Sequence, residues 1–181
     1  DLGRYDHTLS VFAHHTDHTG DNGRPNRGYD HAYNTANVAY NNQISDDLHL
    51  QIKGGYRDYE RIYNSDKYAT SLDWRKRSYT QKQIIPVDMT FTYKHAGKSL
   101  LSIGADAQFA NYKTRELNTT VMTTRNDVTA SLYGFFLQEK MQFEKLILRV
   151  GARYQTINHD YDTLDYEAPS MGSASWSEFL W

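Results

Sequence analysis

The sequence predicts an all-β chain: an antiparallel transmembrane β-barrel wall with about eight strands visible. Three observations predict it. Apolar and polar residues alternate with period two over stretches of about ten residues, long enough for a tilted strand to cross a bilayer. The connections between those stretches alternate between short and long. No run of about 18 or more apolar residues occurs, so there is no candidate membrane helix. The mean hydropathy of −0.78 does not oppose a membrane location, because a crossing strand needs only every second residue apolar.

Taken in order, the first two strands span Tyr5 to His15 and Ala32 to Tyr40, with some noise in the alternation. The clearest segment follows from Leu48 to Tyr59. There Leu48, Leu50, Ile52, Gly54 and Tyr56 share one face, and His49, Gln51, Lys53, Gly55 and Arg57 the other. The division recurs from Ile85 to Lys94, with Ile85, Val87, Met89, Phe91 and Tyr93 on the apolar side. It recurs from Leu101 to Ala110 and from Leu146 to Gln155, where Ile147 breaks the pattern. Val128 to Gln138 is a strand blurred by Phe135, Phe136 and Leu137 in a row, and an eighth opens near Ser173 and runs toward Trp181.

The connections Asn41 to Asp47, His95 to Lys98 and Lys140 to Lys145 are short. Thr16 to Asp30, Arg61 to Ile84, Leu117 to Asp127 and Thr156 to Gly172 are long and polar. Strands joined in order place all short turns on one rim and all long loops on the other, the asymmetry of periplasmic turns and extracellular loops. The first strand then runs outward. The lipid-facing set includes Leu50, Ile52, Val87, Met89, Phe91, Ile103, Leu148 and Val150.

Composition excludes several classes. The 20 Lys+Arg against 22 Asp+Glu give a charge of −2, with no basic footprint for nucleic acid. Cys is absent, which removes disulfides and thiolate chemistry. The 15 Tyr, with an apolar ring and a wet hydroxyl, suit a membrane interface. A soluble β-rich binding protein shows similar alternation, and a complete eight-stranded barrel with a structural or adhesion role has a similar length. Both stand as alternatives. No charged and apolar leader opens the chain, so any signal peptide is expected to have been removed or to lie upstream.

Tyr133-Gly134-Phe135-Phe136-Leu137-Gln138-Glu139, followed by Leu146 to Tyr154 with its Gly151-Ala152-Arg153-Tyr154 ending, resembles barrel strands of TonB-dependent outer-membrane receptors. Asn158-His159-Asp160-Tyr161 and Trp176-Ser177-Glu178-Phe179-Leu180 resemble the loop and strand entry that follow in that family. Trp181 departs from the Pro common after Leu180. The resemblance covers Val128 to Trp181 most strongly. It implies a barrel of roughly 22 strands filled by a plug and driven by the TonB complex. Residues 1–181 show no plug-like segment and are expected to be barrel wall only. The expected partners are the remaining strands, outer-membrane lipid and lipopolysaccharide, TonB through a plug, and a small chelate, most naturally a ferric siderophore. The expected location is the outer membrane of a Gram-negative bacterium.

His7, His14, His15, His18 and His31 cluster near the start with Asp17, Asp21 and Asp30, but their spacing matches no metal motif, and His14 and His15 point to opposite faces of a strand. They are expected to be solvated loop residues. No Gly-x-Ser-x-Gly elbow, P-loop or dinucleotide fingerprint occurs, so neither an enzyme nor a cofactor is expected. The segment Arg61 to Gln83 interleaves cations with aromatics, which suits an anionic ligand. Arg57, Tyr59, Arg61, Trp74 and Arg75 are the candidate ligand-binding residues.

Overall fold

The computed structural model describes residues 6–21, 27–66, 75–118, 120–163 and 170–180. They form eight antiparallel strands: β1 (His7–Asp21), β2 (Arg27–Gln43), β3 (Leu48–Asp66), β4 (Arg75–His95), β5 (Ser99–Asn118), β6 (Val121–Phe143), β7 (Leu146–Thr163) and β8 (Ser170–Leu180). They lie in one sheet in chain order, each paired with its sequence neighbours, and β1 does not pair with β8. Tyr5, Trp74 and Trp181 fall outside the described residues.

Residues directly opposite across an antiparallel pair share a face, so the register sorts the whole sheet. One row runs Leu9, Tyr40, Ile52, Met89, Ala105, Phe135, Tyr154, Phe179. Rows above and below extend this apolar face: Val38, Gly54, Val87, Ala107 and Tyr133 in one, and Leu50, Phe91, Ile103, Leu137 and Ala152 in another. All eight residues expected to face lipid lie on it. Among the described residues no hydrophobic side chain is buried, and Phe135 (63%) and Val150 (56%) stand open. Among the described residues no second layer covers the face as one would in a soluble sandwich, which leaves it to lipid.

The apolar stretch ends at a border that steps down one same-face rung per strand from Phe109 on β5 to Tyr133 on β6 and Tyr154 on β7. Moving outward along the same face, Tyr56 is followed by Asp58, Phe109 by Asn111, Tyr133 by Ser131 and Tyr154 by Thr156. Five alternate positions cover about nine residues, about 30 Å along a strand and about 23 Å of depth at a tilt near 40°, the height of an outer-membrane apolar band. An aromatic at the border is the interfacial belt expected there.

The strands do not stop at that border. β4 has 21 residues and β6 has 23, about twice what a crossing needs. The expected long loops are thereby corrected. Thr16 to Asp30, Arg61 to Ile84 and Thr156 to Gly172 are largely strand, and Leu117 to Asp127 shrinks to the two residues between β5 and β6. Beyond the bilayer neither face is apolar, so the alternation fades while the backbone ladder continues. The short turns hold as expected: 44–47, 96–98 and 144–145 all lie on the opposite rim. At 96–98, Ala96 (φ 44°) and Gly97 (φ 81°) both take the left-handed conformation.

Candidate functional site

The face opposite the apolar one is polar, and three of its rows, level with and just beyond the outer border, carry the sequence candidates. The first holds His14, Thr35, Arg57, Ile84 and His159. The second holds Tyr33, Tyr59, Lys82, Tyr112 and Tyr161. The third holds His18, His31, Arg61 and Thr80. Arg57, Tyr59 and Arg61 are therefore brought together by period two on β3. The acids beside them in sequence, Asp58 and Glu60, take the alternate positions and face the other way. None of the three rows contains a carboxylate among the described residues.

Ring contacts tie the surface together. The Tyr59 hydroxyl lies 3.0 Å from His31 Nδ1 in a hydrogen bond, with the rings edge-on at 5.7 Å. His31 meets Tyr29 edge-on at 5.0 Å, and Tyr29 stacks on His18 at 6.0 Å. Tyr29 in turn lies over Gly20, its cross-strand partner, where any Cβ would collide with the ring. Arg61 donates to the hydroxyl of buried Thr80 at 3.5 Å. At the β7–β8 end of the same face His159 stacks on Trp176 at 5.0 Å. Polar heads on rings held edge to face form a firm surface of π-faces and N–H donors.

Arg75 opens β4 opposite Asp66, an odd five residues beyond the Arg61 to Thr80 register, and so sits at the outer end of the ladder on the face of Asp58 and Glu60, not with the other three. Trp74 lies outside the described residues. Sequence reading missed His18, Tyr29, His31 and Tyr33 as members of this surface, because 16–30 reads as loop and His31 falls among the solvated histidines, whereas Lys82 belongs to the Arg61 to Gln83 segment already expected to suit an anionic ligand. The signal was present: Tyr29, His31 and Tyr33 alternate with period two, as do Arg57, Tyr59, Arg61 and Tyr63. The histidines do not gather. His14 and His18 lie on the polar face, whereas His15 lies on the other, where Asn34 and Asp17 bond its two ring nitrogens at 2.6 and 2.8 Å and raise its pKa.

Farther out, a second polar cluster ties together the outer ends of β4, β5 and β6. Glu116 meets Lys76 at 2.7 Å, Asn118 at 3.0 Å and Arg125 at 3.2 Å. Burial pushes the Glu116 carboxyl up, but the hydrogen bonds from Lys76 and Asn118 and the charges of Lys76 and Arg125 outweigh it and hold the carboxyl below its ordinary range. Thr114 pairs with Asn126 and Arg115 with Thr124, so Arg125 is the extra residue of a bulge. That irregularity is what aims Arg125 at Glu116.

Lower down, inside the membrane band, Arg153 reaches across β6 to Asp106, two strands away, at 2.9 Å. It passes over Gly134, where a Cβ would lie 2.8 Å from the Asp106 carboxylate. The Gly134 of the aromatic segment is thus the saddle for an ion pair between β5 and β7.

A one-layer antiparallel wall, apolar on one side over a membrane's depth and polar on the other, is a segment of an outer-membrane β-barrel. The sequence matches the TonB dependent receptor-like β-barrel family over residues 2–181, and the chain belongs to that family. Its fold is similar to a crystal structure of the ferric citrate transporter FecA in the unliganded form: TM-score 0.69, 13% identity, covering 96% of this chain and 30% of that one. It is also similar to BauA, the ferric preacinetobactin receptor from Acinetobacter baumannii: TM-score 0.59, 16% identity, covering 94% and 34%. The chain spans about a third of the length of these structures. A sequence search among curated proteins finds no match.

Proposed function

We propose that this wall belongs to a receptor that takes up an iron chelate through the outer membrane, and that Arg57, Tyr59 and Arg61, with His31 and Lys82, form part of the surface that meets the chelate. The observation that carries it is the sorting of charge across the sheet. Three cations and a set of rings occupy neighbouring rows of the polar face, with no carboxylate in those rows to neutralise them. An anionic complex with aromatic or carboxylate groups finds there charge-assisted donors and π-faces together. The two solved neighbours are named for ferric chelates, in keeping with this reading. Trp74 is proposed to continue the surface outward; Arg75, at an odd offset from Arg61 and Thr80, falls on the alternate face and is left out of it. The remaining strands, a plug and energy from TonB complete the receptor.

The test uses the full receptor. Ferric citrate and a ferric catecholate are offered to cells carrying the wild-type receptor or the Arg57→Ala/Arg61→Ala variant. Binding of the chelate that the wild-type receptor takes up is expected to weaken at least about ten-fold, the loss of two charge-assisted contacts. Unchanged affinity and uptake in the variant, at equal surface abundance, overturns the assignment.

A further inference from the structure

The apolar face has a dip where its band ends, and we infer that this dip holds the sugar of an acylated saccharide in the outer leaflet of the membrane. It is a cavity of about 290 Å³ over β4 to β7. Its lower row runs Ile85, Phe109, Ser131, Asn158, and the row above it includes Asn111 and Thr129. Small Ser131 stands where the neighbouring strands place Ile85 and Phe109, and the missing bulk makes the depression.

The chemistry of the lining changes across the cavity in the direction a membrane changes. At its base the Phe109 ring is fixed edge-on against Tyr133 at 5.8 Å, continuous with the lipid-facing band below. Above it stand amides and hydroxyls. Gln83 already donates to the Tyr56 hydroxyl at 3.2 Å. Asn111, Thr129, Ser131, Asn158 and Asp160 make no side-chain hydrogen bond among the described residues, so their donors and acceptors are available. An aromatic floor beneath amides, hydroxyls and one carboxylate matches a pyranose, with a hydrophobic ring face and hydroxyls at its rim. An acyl chain leaving that sugar continues down over Val87 and Met89.

Charge selects the sugar over a phosphate. The lining contains no cation, and the one in the next row, Lys113, is held by Asp127 at 2.6 Å. The single charge is the Asp160 carboxylate, which repels phosphate and accepts hydrogen bonds from hydroxyls. This site lies on the opposite side of the wall from the chelate surface, so the two are separable.

The full receptor is placed in nanodiscs of phosphatidylethanolamine and phosphatidylglycerol containing an acylated glucosamine disaccharide of the lipid A type, and retained lipids are counted by native mass spectrometry. The wild-type receptor is expected to retain the disaccharide in preference to both phospholipids. Ser131→Trp, which fills the dip, and Thr129→Trp are each expected to lower that retention about five-fold, the worth of one or two neutral hydrogen bonds. Chelate uptake and heat-modifiable migration stay as in the wild type. Equal retention in wild type and both variants overturns the inference. Preferential retention of phosphatidylethanolamine that Ser131→Trp abolishes also overturns it, by assigning the dip to an ammonium headgroup on Asp160.

Discussion

Single residues on the polar face work in cross-strand pairs, and the glycines show it best. Gly104 lies opposite Phe136, whose ring covers it, and the Met89 carbonyl would stand 2.8 Å from any Cβ there. Gly172 is covered in the same way by its partner Tyr161. Rings folded over glycines protect backbone that would otherwise face water in the lumen. Gly104→Ala is expected to destabilise the barrel by about 1–3 kcal/mol, because the carbonyl on one side cannot give way. Urea unfolding in detergent measures it, and a cost near zero would show that Phe136 swings aside freely. The Lys76–Glu116–Arg125 cluster carries a pH dependence of known sign. The folded carboxyl titrates below its unfolded value, so its contribution is present above the ordinary carboxylate pKa and is lost as pH falls through the lowered one. Acidifying below that range should make the β5–β6 end more open to protease, and Glu116→Gln should show that susceptibility already at neutral pH.

At the scale of the strand, alternation records what each face touches, whereas pairing follows the backbone. In β3 the pattern is clean from Leu48 to Tyr56 because one side meets lipid. The strand then continues to Asp66 with Asp58 and Glu60 on the face that Ile52 occupies lower down. Met89→Arg, in the middle of the apolar rows, is expected to cost about 2–4 kcal/mol, whereas Gln81→Arg on the same face and strand should cost near nothing, because it lies beyond the bilayer. Equal costs at the two positions would place the membrane elsewhere on the sheet. The turn at 96–98 offers a backbone test. Nothing lies within 4 Å of a Cβ at Gly97, so Gly97→Ala meets no steric partner and pays only for the left-handed φ of 81°, about 1 kcal/mol.

For the whole molecule the open question is closure. β1 and β8 are each paired on one side only, and β7 from Leu146 to Ala152 has no β8 partner among the described residues. Unpaired amides cost several kcal/mol each in hydrocarbon, so a stable wall needs further strands at both edges. Residues 1–181 refolded alone in detergent are expected to stay protease-sensitive and to show no heat-modifiable band. A compact, resistant species would establish a self-contained eight-stranded barrel. The sequence by itself determined the class, the strand order, the short-turn rim and the lipid face, because lipid imposes a period-two demand that residues such as Ile52, Met89 and Val150 answer one by one. Only the tertiary structure decided how far the strands run beyond the membrane, since outside it backbone hydrogen bonds and polar cross-strand pairs such as Glu116 with Lys76 hold the ladder and leave no trace in hydropathy. It also decided which distant residues meet, Arg153 with Asp106, Tyr59 with His31, Ser131 beside Phe109, because register between strands sets those neighbours and no local pattern in the chain encodes it.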